Sequence, residues 1–285
     1  MAEATIPVDL LNPGQVFASL GILELAASLA GGATGGFSWG DGARLHVRTQ
    51  RDAHPIRQVL DFLAAAEVQT LVPEGSQNSG EKWTIVDKVL PAGAAFPFPD
   101  PPSPATLPAE LRVGDAAWVI DHWGDATGRD NVKFWAGSGG YPGAALLRDA
   151  LELARPRMDA ADPFAVSAPQ SSSFRFDWRR DYVPLGIGFS LNAHQRLEPR
   201  GYPLVEVLAA IGLTHARPAR PERRNKLLYR YGVLDGADLP IALHRAALGC
   251  ATLPFPARTF RVALDWPGQE GQARCITDIT EEPRS

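Results

Sequence analysis

Two runs of this chain bring cationic and aromatic side chains together at short spacing. Phe174-Arg175-Phe176-Asp177-Trp178-Arg179-Arg180-Asp181-Tyr182 alternates rings with guanidinium groups. Arg217-Pro-Ala-Arg220-Pro-Glu-Arg223-Arg224-Asn225-Lys226 gathers cations just ahead of Tyr229-Arg230-Tyr231. Guanidinium groups displace counterions from phosphates, and rings offer stacking surface to bases, so both runs are candidate nucleic-acid contacts. The structural alternative for the first run is a half-buried strand whose arginines are solvated or paired with Asp177 and Asp181. The second run is the stronger candidate, because Glu222 is the one carboxylate near its cations.

A further candidate is Lys133, ahead of the glycine-rich run Trp135-Ala-Gly-Ser-Gly-Gly140. Successive N–H groups at residues 137–140 could cradle a phosphate before a helix. The run lacks the Lys and Ser/Thr that follow the last glycine of a P-loop, and a loop without a ligand fits it equally well. Catalytic patterns are otherwise missing. The six histidines (His46, His54, His122, His194, His215 and His244) have no metal-ligand neighbour at helical spacing, and no Gly-x-Ser-x-Gly elbow occurs. His122 and His194 are the two worth testing, although core or surface roles suit both better. Cys250 and Cys275 are too few for a disulfide framework or a zinc site. The expectation is a protein that is not an enzyme and needs no cofactor or metal. The candidate contacts are Lys133, Arg175, Arg179, Arg180, Arg220, Arg223, Arg224, Lys226 and Arg230.

Charge supports that choice only locally. The 285 residues carry a formal charge of −4, which excludes a uniformly basic nucleic-acid binder. Residues 175–230, however, hold 11 cations against 5 anions, and both flanking segments are acidic. Of the 28 cations only Lys82, Lys88, Lys133 and Lys226 are lysines. Arginine supplies planar forks suited to phosphates and base edges.

The elements that must position these residues are those of an α+β chain. Residues 4–10 read as a strand, and Asn12-Pro13 as the start of a helix reaching Ala30, stopped by Gly31-Gly32. Phe37–Trp39 and Ala43–Thr49 flank Gly40-Asp41-Gly42 as a hairpin. A helix over 55–68 and a strand over Trp83–Leu90 complete the order βαββαβ, that of a ferredoxin-like lobe. Seven prolines between 91 and 108 mark a linker. The expected organisation is an α+β lobe at 1–90, a linker at 91–110 and a second α+β lobe at 111–285. In that lobe, strands are expected at Ala116–Asp121, Phe174–Trp178, Tyr182–Phe189 and Arg258–Asp265. Helices are expected at 143–154 and 202–212, and a hairpin around Asp235-Gly236. Trp123 and Trp135 suit either an interface or the core. The N-terminus has no basic leader, and the apolar run Val16–Ala30 contains Glu24 and falls short of the ~20 residues of a bilayer span. These features predict a cytoplasmic protein with no membrane partner.

Three stretches in combination resemble a known family. They are Val8-Asp-Leu-Leu-Asn-Pro-Gly-Gln-Val-Phe-Ala-Ser-Leu-Gly-Ile-Leu-Glu-Leu-Ala26, Phe174-Arg-Phe-Asp177 with Gly188-Phe-Ser-Leu-Asn192, and Tyr202-Pro-Leu-Val-Glu-Val-Leu-Ala-Ala-Ile-Gly-Leu213 with Arg217-Pro218. They are similar to CRISPR-associated proteins of type I-U (I-G) systems, in particular the short proteins that stand in for the large subunit of Cascade. The start Asn12-Pro13-Gly14-Gln15 is the most distinctive piece. The resemblance implies a non-catalytic subunit of a crRNA-guided surveillance complex in antiviral defence. Such a subunit contacts crRNA, reads the protospacer-adjacent motif on target DNA, joins other Cascade subunits and helps recruit the helicase-nuclease. One departure is visible: large subunits often end in a helical bundle, whereas residues 226–285 read as strands with an acidic tail. The alternatives are a backbone-type crRNA-binding subunit built on the ferredoxin-like lobe, or a small-molecule enzyme using the glycine-rich loop at 137–140.

Overall fold

The computed structural model describes residues 1–94, 103–123, 141–179, 199–222, 224–266 and 274–283. In chain order the elements are β1 (Ala2–Pro7), α1 (Pro13–Ala30), β2 (Ala33–Ser38), β3 (Arg44–Thr49), α2 (Pro55–Ala65), β4 (Glu67–Pro73) and β5 (Val86–Leu90). They continue with β6 (Ala109–Val113), β7 (Ala116–Ile120), α3 (Gly143–Ala154), β8 (Ala168–Pro169), β9 (Arg200–Gly201) and α4 (Pro203–Gly212). The last are β10 (Leu228–Leu234), β11 (Leu239–Pro240), α5 (Ile241–Leu248), β12 (Ala257–Asp265) and β13 (Cys275–Glu282). The α+β class expected from the sequence is the class observed.

Helix α1 is the centre of the core. Asn12 enters it in extended conformation, Pro13 occupies the first turn, and Gly31 closes it at φ 75°. The left-handed region costs glycine nothing, which is why a glycine stands there. Apolar residues line every side of the helix, so no single face can point to water. By length and composition α1 could cross a bilayer, yet 83% of it is buried inside the protein. It runs against α4 with almost no space between the backbones. A methyl at Gly21 would lie 2.0 Å from the Leu208 carbonyl oxygen, and one at Gly212 would lie 2.0 Å from that of Phe17.

The described strands form three larger sheets and the short antiparallel pair β8-β9. The first has the order β1-β3-β2-β11, antiparallel throughout. The second, β5-β4-β6-β7, has one parallel pair, β4 with β5. The third is the antiparallel ribbon β10-β12-β13. The expected ferredoxin-like sheet is only begun: β1, β3 and β2 take its order over α1. The strand expected at 83–90 is shortened to β5, and it pairs in the second sheet instead of beside β1. The chain also forms a strand the sequence reading missed, β4, over residues expected to end a helix or form a loop. Only Ala66 separates α2 from β4, so the chain leaves the helix directly into the second sheet and has no length to double back to β1.

Other expectations change for equally local reasons. The run Phe174–Trp178 is not a strand. Arg175 sits at φ 66° and breaks the extension, and the N–H groups of Phe176 and Asp177 donate to the Glu206 carboxylate instead of to a neighbouring strand. The hairpin around Asp235-Gly236 does not form either. One edge of β10 is taken by β12 and the other by Ala219, bridged to Arg230, so β11 pairs with β2. The residues expected to continue the returning strand begin α5. The segments on either side of the 91–108 linker share sheets (β4 with β6, β2 with β11) and one continuous apolar core. The expected strand Tyr182–Phe189 lies outside the described residues.

Helix contact at this distance tolerates no added carbon. Gly21→Ala and Gly212→Ala should each destabilise the protein by about 3 kcal/mol, the upper range for overpacking. Urea unfolding should show a lower midpoint with an unchanged m-value. Midpoints within error of the parent's would mean that α1 and α4 can separate without cost.

Candidate nucleic-acid interface

The interface must be built from cations the fold leaves exposed, so the first question is which ones it does not. Arg179 is held internally. Its guanidinium grips the Asp177 carboxylate at both oxygens (Nη2–Oδ2 2.6 Å, Nε–Oδ1 3.0 Å), donates to the Phe164 carbonyl at 2.8 Å and lies 3.6 Å over the Tyr202 ring. Asp177 is buried and also accepts from Asn12 Nδ2 at 2.9 Å. Arg179 therefore closes a buried network and is not a surface phosphate contact, contrary to the sequence expectation. A carboxylate without water requires such a partner, and guanidinium supplies the bidentate fork.

The same network gathers the three stretches singled out in the sequence. Asn12 comes from the first, Asp177 from the second and Glu206 from the third. Glu206, itself buried, receives the Phe176 and Asp177 N–H groups at 3.3 and 3.1 Å. Gly14 lets this crossing happen: a methyl there would sit 2.7 Å from the backbone of Phe176 and Asp177. Phe174 and Phe176 stack at 5.2 Å on the apolar side.

Arg230 is also engaged, with its Nε 2.7 Å from Glu282 across the ribbon. Arg175 is half-buried and directs Nη1 to the Arg274 carbonyl. Lys133, Arg180 and Arg223 lie outside the described residues, as do the glycine-rich loop 137–140, Trp135 and His194. Trp123 is a core residue whose Nε1 donates to the Leu107 carbonyl at 2.9 Å.

What remains is the loop between α4 and β10. Ala219 fixes one end by two backbone bonds to Arg230, at 2.8 and 2.9 Å. Asn225 shapes the other end: its Oδ1 accepts from the Leu227 N–H, and its own N–H donates to the Glu222 carbonyl. The Asn225 Oδ1 bond to the Leu227 N–H is an Asx turn. Glu222 is partly occupied, accepting from Asn225 Nδ2 at 3.3 Å. Arg220 and Lys226 are half-exposed and Arg224 is exposed. Neither Arg224 nor Lys226 takes part in any of the ion pairs among the described residues. One cation was missed by the sequence reading. Arg261 stands directly across the ribbon from Arg230 and is exposed. The alternation of Arg261 with the buried Phe260 and Val262 was the available signal.

Among the described residues no group of three His, Cys, Asp or Glu side chains is placed to hold a metal ion. His122 is buried between Trp123 and Phe176, and burial lowers its pKa to about 3. Its Nε2 is shielded and has no hydrogen-bond partner. The neighbouring Asp121 is held above its usual range, mainly by burial, with Arg217 opposing. A neutral imidazole facing rings is a packing unit and a poor proton carrier. No family model, curated protein or solved structure matches the chain.

Because the folded pKa of His122 lies below the unfolded value near 6.5, its neutral form favours folding above pH 6.5. That contribution is lost as pH falls toward 3. His244 is shifted the same way by burial. His122→Phe removes one of the two. Between pH 7 and pH 5 the parent should therefore lose about 2 kcal/mol more stability than the variant. Parallel curves of urea midpoint against pH for the two proteins would refute this assignment.

Proposed function

We propose that the chain is a non-catalytic, nucleic-acid-contacting subunit of a type I CRISPR surveillance complex, working in the cytoplasm as a large-subunit equivalent. Its partners in this reading are crRNA, target DNA, the other Cascade subunits and the recruited helicase-nuclease. The observation that carries the nucleic-acid part is the 217–226 loop, where Arg224 and Lys226 stand on a shaped turn without ion-pair partners among the described residues. Solvent-accessible cations of this kind bind phosphates and release counterions. They do not read sequence; base edges or another subunit must do that.

The family part has separate support. The three stretches that resemble the type I-U proteins are far apart in the chain, yet Asn12, Asp177 and Glu206 belong to one hydrogen-bonded network. Beyond residue 226 the chain forms the β10-β12-β13 ribbon with α5 and no helical bundle among the described residues. Bundle functions of large subunits are therefore not carried over. The backbone-subunit alternative rested on a ferredoxin-like sheet, and that sheet lacks its fourth strand.

Replacing both Arg224 and Lys226 by Ala should weaken binding of duplex DNA by the complex-bound protein. The slope of log K against log salt should become shallower by about 2, one for each phosphate contact. An unchanged slope would remove these two residues from the interface. Purification with a guide RNA and several partner subunits would support the family reading, whereas a chain that behaves identically with and without them would sink it.

A further inference from the structure

The apolar core is left open along β13. Strand register places Ile276 opposite Leu264 and Ile279 opposite Val262, and both partners are buried. Residues three apart on a regular strand point to opposite faces. The β-bulge between Ala263 and Leu264 skips Thr277 in the register and turns both isoleucines to the core face, where they pack against its rim. There they meet Leu11 and Trp178 around a groove of about 280 Å³ that Asp278 also lines. Leu11 is 41% exposed and Trp178 49%. Their chain neighbours are anchored: Asn12 and Asp177 share a buried hydrogen bond of 2.9 Å, and the Tyr231 hydroxyl on β10 donates to the Leu10 carbonyl at 2.7 Å. The buried network therefore also fixes a leucine and an indole at the surface.

Beside the groove runs an unpaired strand edge. β13 ends the sheet order β10-β12-β13, and residues 276–280 have no backbone hydrogen-bond partner outside the ribbon among the described residues. The outward N–H and C=O groups of such an edge can pair with another extended chain, and an adjacent apolar pocket takes one of its side chains. We propose that the β13 edge and the Leu11–Trp178 groove dock an extended segment of a partner protein. The segment adds a fourth strand to the ribbon, seats one apolar side chain against Trp178 and brings a lysine or arginine to Asp278. Charge decides this occupant. β13 holds Asp278, Glu281 and Glu282 and no cation. Glu281 and Glu282 are taken by Arg258 and Arg230, whereas Asp278 enters no ion pair among the described residues. A second copy pairing along the same edge would set carboxylates against carboxylates. Asp278 is the charged residue lining the groove, which disfavours a phosphate backbone as well. The inference goes beyond the proposed function and stands without the 217–226 loop.

The test is fluorescence anisotropy with the full chain and three labelled octapeptides. In one, isoleucine alternates with lysine; in the second, with glutamate; the third is the lysine peptide with prolines inside the repeat, which cannot donate to a strand edge. The lysine peptide should bind about tenfold more tightly than either of the others, a difference of about 1.4 kcal/mol. Trp178→Ala should weaken it about tenfold, as loss of a central aromatic anchor does, while Trp178→Phe retains most of the binding. Asp278→Lys should reverse the preference between lysine and glutamate peptides. Circular dichroism and the thermal midpoint establish that each variant is folded, and sedimentation velocity gives the oligomeric state. Lysine-peptide binding unchanged in folded Trp178→Ala overturns the inference, as does equal binding of the proline peptide. A parent that binds none of the three peptides overturns it too. A parent dimer that Trp178→Ala dissociates overturns the choice of a partner protein over a second copy. Each of these results leaves the duplex reading of Arg224 and Lys226 standing, because that reading is scored on DNA with other residues.

Discussion

The contact between α1 and α4 is the constraint on which the remaining architecture depends. At Gly21 and Gly212 the two backbones meet without a side chain between them. Such proximity fixes the axial register of one helix on the other, because only the glycine positions can face a carbonyl. With the register fixed, the N-terminus of α1 and the first turn of α4 come to the same place. Asn12 and Glu206 then stand on opposite sides of the Phe174–Arg179 segment. Asp177, drawn between them, receives from Asn12 and Arg179. The close helix contact and the Asn12–Asp177–Glu206 network lie on the same pair of helices and the segment between them.

Buried carboxylates recur elsewhere, and each has the same solution. Glu24, on an otherwise apolar stretch of α1, takes a bidentate fork from Arg245 on α5, at 2.5 and 2.6 Å. Glu110 on β6 accepts from Lys88 on β5 at 2.9 and 2.8 Å. Removing the cation of such a pair strands a buried carboxylate, whereas removing the carboxylate leaves a cation that water can solvate. These pairs also explain where the apparent charge of the chain goes. Arg179 and Arg230 count toward the basic segment in any tally of the sequence, yet both are neutralised locally. Among the described residues of the basic segment and the ribbon, Arg224, Lys226 and Arg261 are the cations that enter no ion pair.

Elements with a strong local signal were legible. Asn12-Pro13 and Gly31 bracket α1 as read, and α3 spans the expected residues. The misreadings share one cause. Phe174–Trp178 has the composition of a strand, but its N–H groups are claimed by Glu206, 29 and 30 residues away. The Asp235-Gly236 pair has the composition of a hairpin turn, but the edges of β10 were already occupied. In both, a distant acceptor or strand outcompeted the local preference. Glu206 itself was a readable clue, since a carboxylate in so apolar a helix must find donors.

By itself the sequence determined the α+β class, the positions of the strongest helices and the concentration of cations between 175 and 230. These follow from periodicity, capping chemistry and composition, which act over a few residues. Only the tertiary structure decided which of those cations face outward. A guanidinium is equally at home closing a buried carboxylate or meeting a phosphate, and nothing in its immediate neighbours distinguishes the two. The choice for Arg179 was made by Asn12 and by the α1–α4 contact that brings Asn12 there. Arg224 and Lys226 stand on the turn shaped by Asn225 and enter no ion pair among the described residues.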